Sequence, residues 1–125
     1  MQKILDEMTA QLKGVAKRVK QLEKIQLPDF TTPNWTAPTL LNSWIDFGGS
    51  NPGAGYQKDA LGYVHIRGLI KNGTATVGTT LFNLPAGYRP SATMYFPTIS
   101  NNAFGGGYIT SGGDVVIVAG VNTWY

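Results

Sequence analysis

Along the first 26 residues, apolar side chains recur at spacings of 3, 4, 3, 4 and 3: Leu5, Met8, Leu12, Val15, Val19 and Leu22. This heptad rhythm keeps one seam of a helix turned toward a partner helix. With Leu5 at position a, Leu12 and Val19 also fall at a, while Met1, Met8, Val15 and Leu22 fall at d. A β-branched residue at d disfavours a parallel dimer, so the pair Val15 and Val19 points to a trimer core. Ile4 and Ile25 at g widen the stripe, as a third helix requires. Arg18 at g precedes Glu23 at e by the spacing of an interhelical ion pair between parallel chains. The pattern predicts a parallel homotrimeric coiled coil over 1–26. Its alternatives are a lone amphipathic helix packed on its own domain and a basic helix lying on a membrane surface. Gly14, at the outward c position, costs about 1 kcal/mol of helix propensity, so so short a coil is marginal and needs help from the rest of the chain.

Pro28 is expected to end the helix, and with Pro33 and Pro38 it makes 27–39 (LPDFTTPNWTAPT) a stiff, extended connector. From residue 40 the period changes to two. In 62–71 (GYVHIRGLIK), Val64, Ile66 and Ile70 share a face with Gly68, while Tyr63, His65, Arg67 and Leu69 take the other. Asn72-Gly73 supplies the positive φ angles of a tight hairpin, with the return strand expected through 80–84. A turn-rich corner (84–90), an extended run (91–96), a second hairpin signal at SGGD (111–114) and the apolar run VVIVAGV (115–121) follow. Further strands are expected in 40–47 and 104–110. The predicted fold class is mostly β: an N-terminal α-helical trimeric coiled coil (1–26), the connector, and an antiparallel β-sandwich or jelly-roll head over 40–125. Trp44, flanked by polar residues, is still expected to be buried, against a trimer neighbour or the connector, because so large an aromatic is rarely left in water.

Composition sharpens this picture. Of 125 residues, 14% are charged, and Gly and Pro are abundant at 16 and 7. The segment 1–26 holds six Lys or Arg against three acids, and the remainder holds four of each sign, so the net charge of +3 resides in the predicted coil. A neutral body argues against nucleic acid as a partner, since phosphate recognition needs a clustered basic face. The N-terminus shows no secretory signal, and no stretch approaches the roughly 20 apolar residues of a membrane helix. Membrane insertion is therefore not expected.

Candidate chemistry is sparse. With no cysteine, thiolate metal sites and cysteine nucleophiles are excluded. The single histidine, His65, has no companions at metal-ligand spacing and reads as a half-exposed strand residue. Asp46, Asp59 and Asp114 could in principle supply a glycosidase pair, but Asp59 in KDALG and Asp114 in SGGD fit turn chemistry. The glycine-rich loop GGSNPGAG (48–55) lacks the Lys-Ser/Thr and helix of a phosphate cradle. Neither metal, cofactor nor catalytic residue is expected. What remains is a surface poor in charge and rich in Asn, Ser, Thr, Gly and Tyr, which suits neutral polyhydroxylated ligands: planar side chains cover sugar faces and short polar groups meet hydroxyls.

The stretch YQKDALGYVHIRGLIKNG (56–73) followed by LFNLPAGYRP (81–90), with LLNSWIDF (40–47) before them, resembles the terminal β domains of tail-fibre and baseplate appendages of long-tailed bacteriophages, especially those of Gram-positive hosts. The resemblance covers about a third of the chain. It implies a homotrimer with a jelly-roll-like head, carried on the virion and made in the host cytoplasm, that recognises a cell-wall saccharide on the host surface. A structural or adaptor tail protein that only trimerises and docks other phage tail proteins is the alternative, and a cell-wall depolymerase the third reading. The shared motif reads as scaffolding: Asp59 stabilises a turn and Arg89 anchors the corner. The ligand is instead expected at loops with few packing duties, where Tyr56 and Trp124 offer stacking faces and Asn51, Asn101, Asn102 and Asn122 offer hydrogen bonds. For Trp124, plugging the edge of the sandwich is the competing role.

Overall fold

A computed structural model of the chain describes residues 1–25, 31 and 33–125. Its first element, α1 (Gln2–Glu23), is the helix that the heptad pattern predicts. Gln2 Nε2 donates to Asp6 Oδ1 at 3.0 Å, one turn on, and Lys20 in the last turn complements the helix dipole. No side chain of α1 is buried, and the helix packs against none of the strands. Leu5, Met8, Leu12, Val15, Val19 and Leu22 therefore stand exposed along one seam, so the reading in which the helix lies on its own domain is not what the chain adopts. Gln26 and the first residues of the connector, Pro28 included, lie outside the described residues.

The connector's later part is docked on the strands. Thr36 forms an antiparallel bridge with Tyr56, and the Trp35 ring lies over Gly55, where a Cβ would stand 3.3 Å from it. Eight strands follow: β1 (Ile45–Asp46), β2 (Gly55–Lys58), β3 (Val64–Arg67), β4 (Ile70–Lys71), β5 (Thr80–Asn83), β6 (Met94–Ser100), β7 (Ala103–Ile109) and β8 (Asp114–Ala119). They pair antiparallel as β1-β4, β2-β3 and a four-stranded sheet in the order β5-β8-β7-β6. The chain is thus mostly β with one N-terminal helix and antiparallel sheets, as its periodicity implies.

The period-two run 62–71 does not form one strand. Gly68, at φ +149°, lies so close to Ala54 that a Cβ would come within 2.7 Å of its Cα. The run breaks there, so β3 pairs with β2 and β4 with β1. Nor does Asn72-Gly73 make the expected hairpin. Asn72 has the positive φ of 66°, but its N–H donates to the Asn122 carbonyl at 2.7 Å, and β5 pairs with β8 instead. Gly73 serves a different purpose: its missing Cβ would stand 2.1 Å from the Trp44 ring.

That contact centres the core. Trp44 is 2% exposed and is clustered with Ala54, Ile70, Leu81, Phe82 and Leu84 and with Val115, Ile117 and Tyr125. Its indole N–H donates to the Thr74 carbonyl at 3.1 Å, and its ring lies 6.0 Å from that of Tyr125. The predicted burial of Trp44 is met within its own chain rather than against a neighbour. The hairpin at 111–114 forms as its sequence predicts, with Gly113 at φ 91° and its N–H bonded to the Thr110 carbonyl at 2.9 Å. Arg89 anchors the 84–90 corner, donating from Nε to the Leu84 carbonyl at 2.7 Å.

Two glycine substitutions should separate packing from propensity. Gly73→Ala drives a methyl into the Trp44 ring and should cost about 3 kcal/mol in urea-induced unfolding. Gly14→Ala, with nothing within 4 Å of its Cβ, should stabilise the helix by about 1 kcal/mol. A neutral Gly73→Ala would disprove the close-approach account.

Candidate functional site

Asn101 and Asn102 form the tip of the β6-β7 hairpin, with φ angles of 49° and 63°. Consecutive positive φ is the requirement of a type I′ turn, which Asn tolerates, so both residues have a backbone duty, and both remain exposed. Just before them, buried Ser100 accepts a hydrogen bond at Oγ from the Val121 N–H at 2.8 Å. The same hydroxyl donates to the Trp124 carbonyl at 3.0 Å. Ser100 thereby ties the hairpin tip to the segment carrying Asn122 and Trp124, and four of the six predicted ligand residues come from these two joined segments. Asn122 is exposed and its carbonyl is held by Asn72.

Trp124 is half-buried at the wall of an apolar cavity of about 640 Å³, with Ile66, Phe96, Ile99 and Tyr125 among its neighbours there. It neither stands free as a stacking platform nor joins the buried core; the core aromatic at this end of the chain is Tyr125. That residue exchanges backbone hydrogen bonds with Ile70, N–H to carbonyl at 2.8 Å and 2.9 Å, and its phenol donates to the Gly106 carbonyl. Burial pushes the Tyr125 phenol above its usual pKa, offset in part by the neighbouring Thr98 hydroxyl. Sequence reasoning missed Tyr125 and Ser100, because a single residue paired across the chain leaves no periodicity to find.

The remaining two predicted residues lie elsewhere. Asn51 folds its side chain back onto its own loop, donating to the Gly48 carbonyl at 3.1 Å. Tyr56 packs edge-on against Tyr88 at 5.0 Å, with Lys58 Nζ 5.1 Å from the Tyr88 ring. It borders a second, smaller hollow of about 340 Å³ with Pro38, Thr39 and Asn83. Here Asn83 is already engaged, donating to Asp114 Oδ1 at 2.8 Å and accepting from Arg89 at 3.2 Å.

The carboxylates hold turns. Asp46 Oδ1 accepts from the Ala54 N–H at 2.8 Å and closes the glycine-rich loop. Asp59 Oδ1 accepts from the Leu61 and Tyr63 N–H groups at 2.9 and 3.0 Å, and its Oδ2 meets His65 Nε2 at 2.9 Å. The hydrogen bond to His65 holds the Asp59 carboxyl below its usual value; desolvation opposes it, and the Tyr63 and Leu61 backbone donors add to the lowering. Among the described residues, no group of three His, Cys, Asp or Glu is placed to hold a metal ion. No helix there is long and apolar enough to cross a membrane. Compared with protein-family models, curated proteins and solved structures, the chain matches none.

The lowered Asp59 pKa has a signed consequence. A carboxyl depressed in the folded state contributes stability above its ordinary value of 3.8, and that contribution is lost as pH falls through the depressed folded value. Thermal melts taken from about pH 5 down to about pH 2 should show a shallower acid limb for Asp59→Asn than for the parent, together with a lower Tm at neutral pH. Parallel limbs would mean that the pair contributes nothing.

Proposed function

We propose that the protein is a homotrimeric bacteriophage tail appendage whose β head binds a host cell-surface saccharide, without catalysis. The observation that carries this reading is the seam of α1: a heptad stripe exposed from end to end and covered by no strand of its own chain. An apolar stripe of this length in water calls for like helices, and Val at adjacent a and d positions favours three of them. In this reading α1 is a trimeric coiled coil and the antiparallel sheets form a jelly-roll-like head, in keeping with the phage-appendage resemblance of 40–90. The head meets its ligand at the end built by the hairpin tip and the C-terminal segment. There the Asn101, Asn102 and Asn122 amides would donate to and accept from sugar hydroxyls, and half-buried Trp124 would border the contact with apolar surface rather than serve as a stacking platform. Such a protein acts on the virion, beside other tail proteins.

A second reading, a structural or adaptor tail component, is favoured by one specific observation: Phe104, on the outer face of β7, is 93% exposed and stands opposite exposed Ile99, and a contiguous exposed apolar patch marks a protein contact.

Two measurements test the proposal. Light scattering should return the mass of three chains at micromolar concentration, and Val15→Asp with Val19→Asp should shift the equilibrium toward monomer; a parent that is monomeric throughout would overturn the trimer. In a whole-cell adsorption or glycan-array assay, the parent should bind, and Asn102→Ala and Trp124→Ala should each weaken binding about tenfold, the effect of roughly 1.4 kcal/mol. A folded trimer that binds neither cells nor glycans would support the adaptor reading instead.

A further inference from the structure

The outer face of the β6-β7 ladder carries an uncharged apolar stripe. In register, Tyr95 stands opposite Tyr108, Pro97 opposite Gly106 and Ile99 opposite Phe104. These are alternate positions and so share one face of the sheet. The other face takes Phe96 to the core and Ser100 to the C-terminal segment. Tyr95 is 73% exposed, Ile99 63% and Phe104 93%, and the Tyr95 and Tyr108 rings lie 5.4 Å apart. Neither β6 nor β7 contains a charged residue. β6 is also the edge of its sheet, and Pro97 removes a ladder N–H there, a device that discourages edge-to-edge pairing and leaves the face as the surface for a partner. Pro97 and Ile99 also line the 640 Å³ cavity, as does exposed Ile66, so apolar surface runs from the stripe into the cavity's mouth.

We propose that this stripe is the contact between the heads of neighbouring copies of the chain, the three stripes facing one another around the common axis. The inference rests on the homotrimer read from α1. A parallel coil presents three copies of the stripe at the same height, and 13 residues of connector at about 3.5 Å each keep every head within about 45 Å of the coil's end. Tethering at that range gives an effective concentration on the order of millimolar. The stripe offers on the order of 500 Å² per chain, below the roughly 800 Å² per partner of a free-standing interface. It is therefore a surface that joins copies already held together. Its chemistry is self-compatible, with aromatic and aliphatic groups and no charge to repel an identical face. Its half nearer the hairpin tip suits a saccharide poorly, because Ile99, Phe104 and Pro97 present no hydrogen-bonding side chain to a hydroxyl; the stripe's hydroxyls are those of Tyr95 and Tyr108 at the other end.

Because the chain has no cysteine, one introduced thiol reports its own surroundings. In the full-length protein, Phe104→Cys and, separately, Tyr95→Cys should be converted largely to covalent dimers by a short bis-maleimide. Leu61→Cys and Val77→Cys, at loop positions that are 70% and 69% exposed, should not. Light scattering on the same samples gives the number of chains. A three-chain mass in which both stripe variants cross-link no more than the loop controls overturns the head contact and leaves the coil standing. A one-chain mass overturns both. Cross-linking by either stripe variant above the controls in a three-chain species supports the proposal, so it does not depend on both variants folding.

Discussion

The Trp44 indole resting on the bare backbone of Gly73 is the contact on which the head's arrangement depends. A Cβ at Gly73 would stand 2.1 Å from the ring, so ring and backbone meet at a distance that only glycine permits. With the ring in that position, its N–H reaches Thr74 and the ring lies 6.0 Å from that of Tyr125, tilted by 50°. Tyr125 in turn pairs with Ile70 of β4 through two backbone hydrogen bonds. One side chain thus joins the short β1-β4 ladder, the loop after it and the end of the chain. Burying an aromatic of this size is worth on the order of 5 kcal/mol at about 25 cal/mol per Å², comparable to the whole stability of a small domain.

The same constraint explains which parts of the fold can be read from sequence. Strands whose neighbours are close in the chain announce themselves: SGGD between alternating runs gives the β7-β8 hairpin, and Arg89 in LPAGYRP gives a corner held by the Leu84 carbonyl. Asn72-Gly73 carries the same local signature as a hairpin and is not one, because Trp44, some thirty residues earlier, takes the space above Gly73. Tertiary packing overrides turn propensity there, and nothing local to Asn72 records it. Asn101-Asn102 shows the converse. Their composition suggests ligand chemistry, yet their φ angles show that a tight turn demands them first. Of the predicted ligand residues, those in the hairpin tip and the C-terminal segment are joined through Ser100, whereas Asn51 and Tyr56 belong to other corners. No single-sequence pattern encodes a serine hydroxyl bridging residues that far apart.

The helix poses the opposite problem. Its periodicity is plain in the sequence, and the single chain leaves that periodicity unsatisfied: every apolar position of the seam is open to water. A structure in which the head is well packed and the helix covers nothing divides the molecule into a part that folds on itself and a part whose apolar surface its own chain leaves uncovered.

In the proposed trimer, this division makes two weak associations depend on each other. A coil of 22 residues carrying Gly14 is marginal alone, and a head stripe smaller than a standard interface is marginal alone as well. Joined by a short connector, each turns the other's bimolecular assembly into an intramolecular closure, and tethering of this kind raises overall avidity by roughly 10² to 10⁴ without any new contact. Apolar surface then need not be large at either place for the assembly to be firm. A head so assembled keeps its hairpin tips beside the threefold axis, which places Asn101 and Asn102 of all three chains within one small area. A repetitive surface polymer could engage several of them at once, and affinity that is weak per site would become strong per trimer. This fits a ligand end built from a few exposed amides and one half-buried ring better than a deep pocket would.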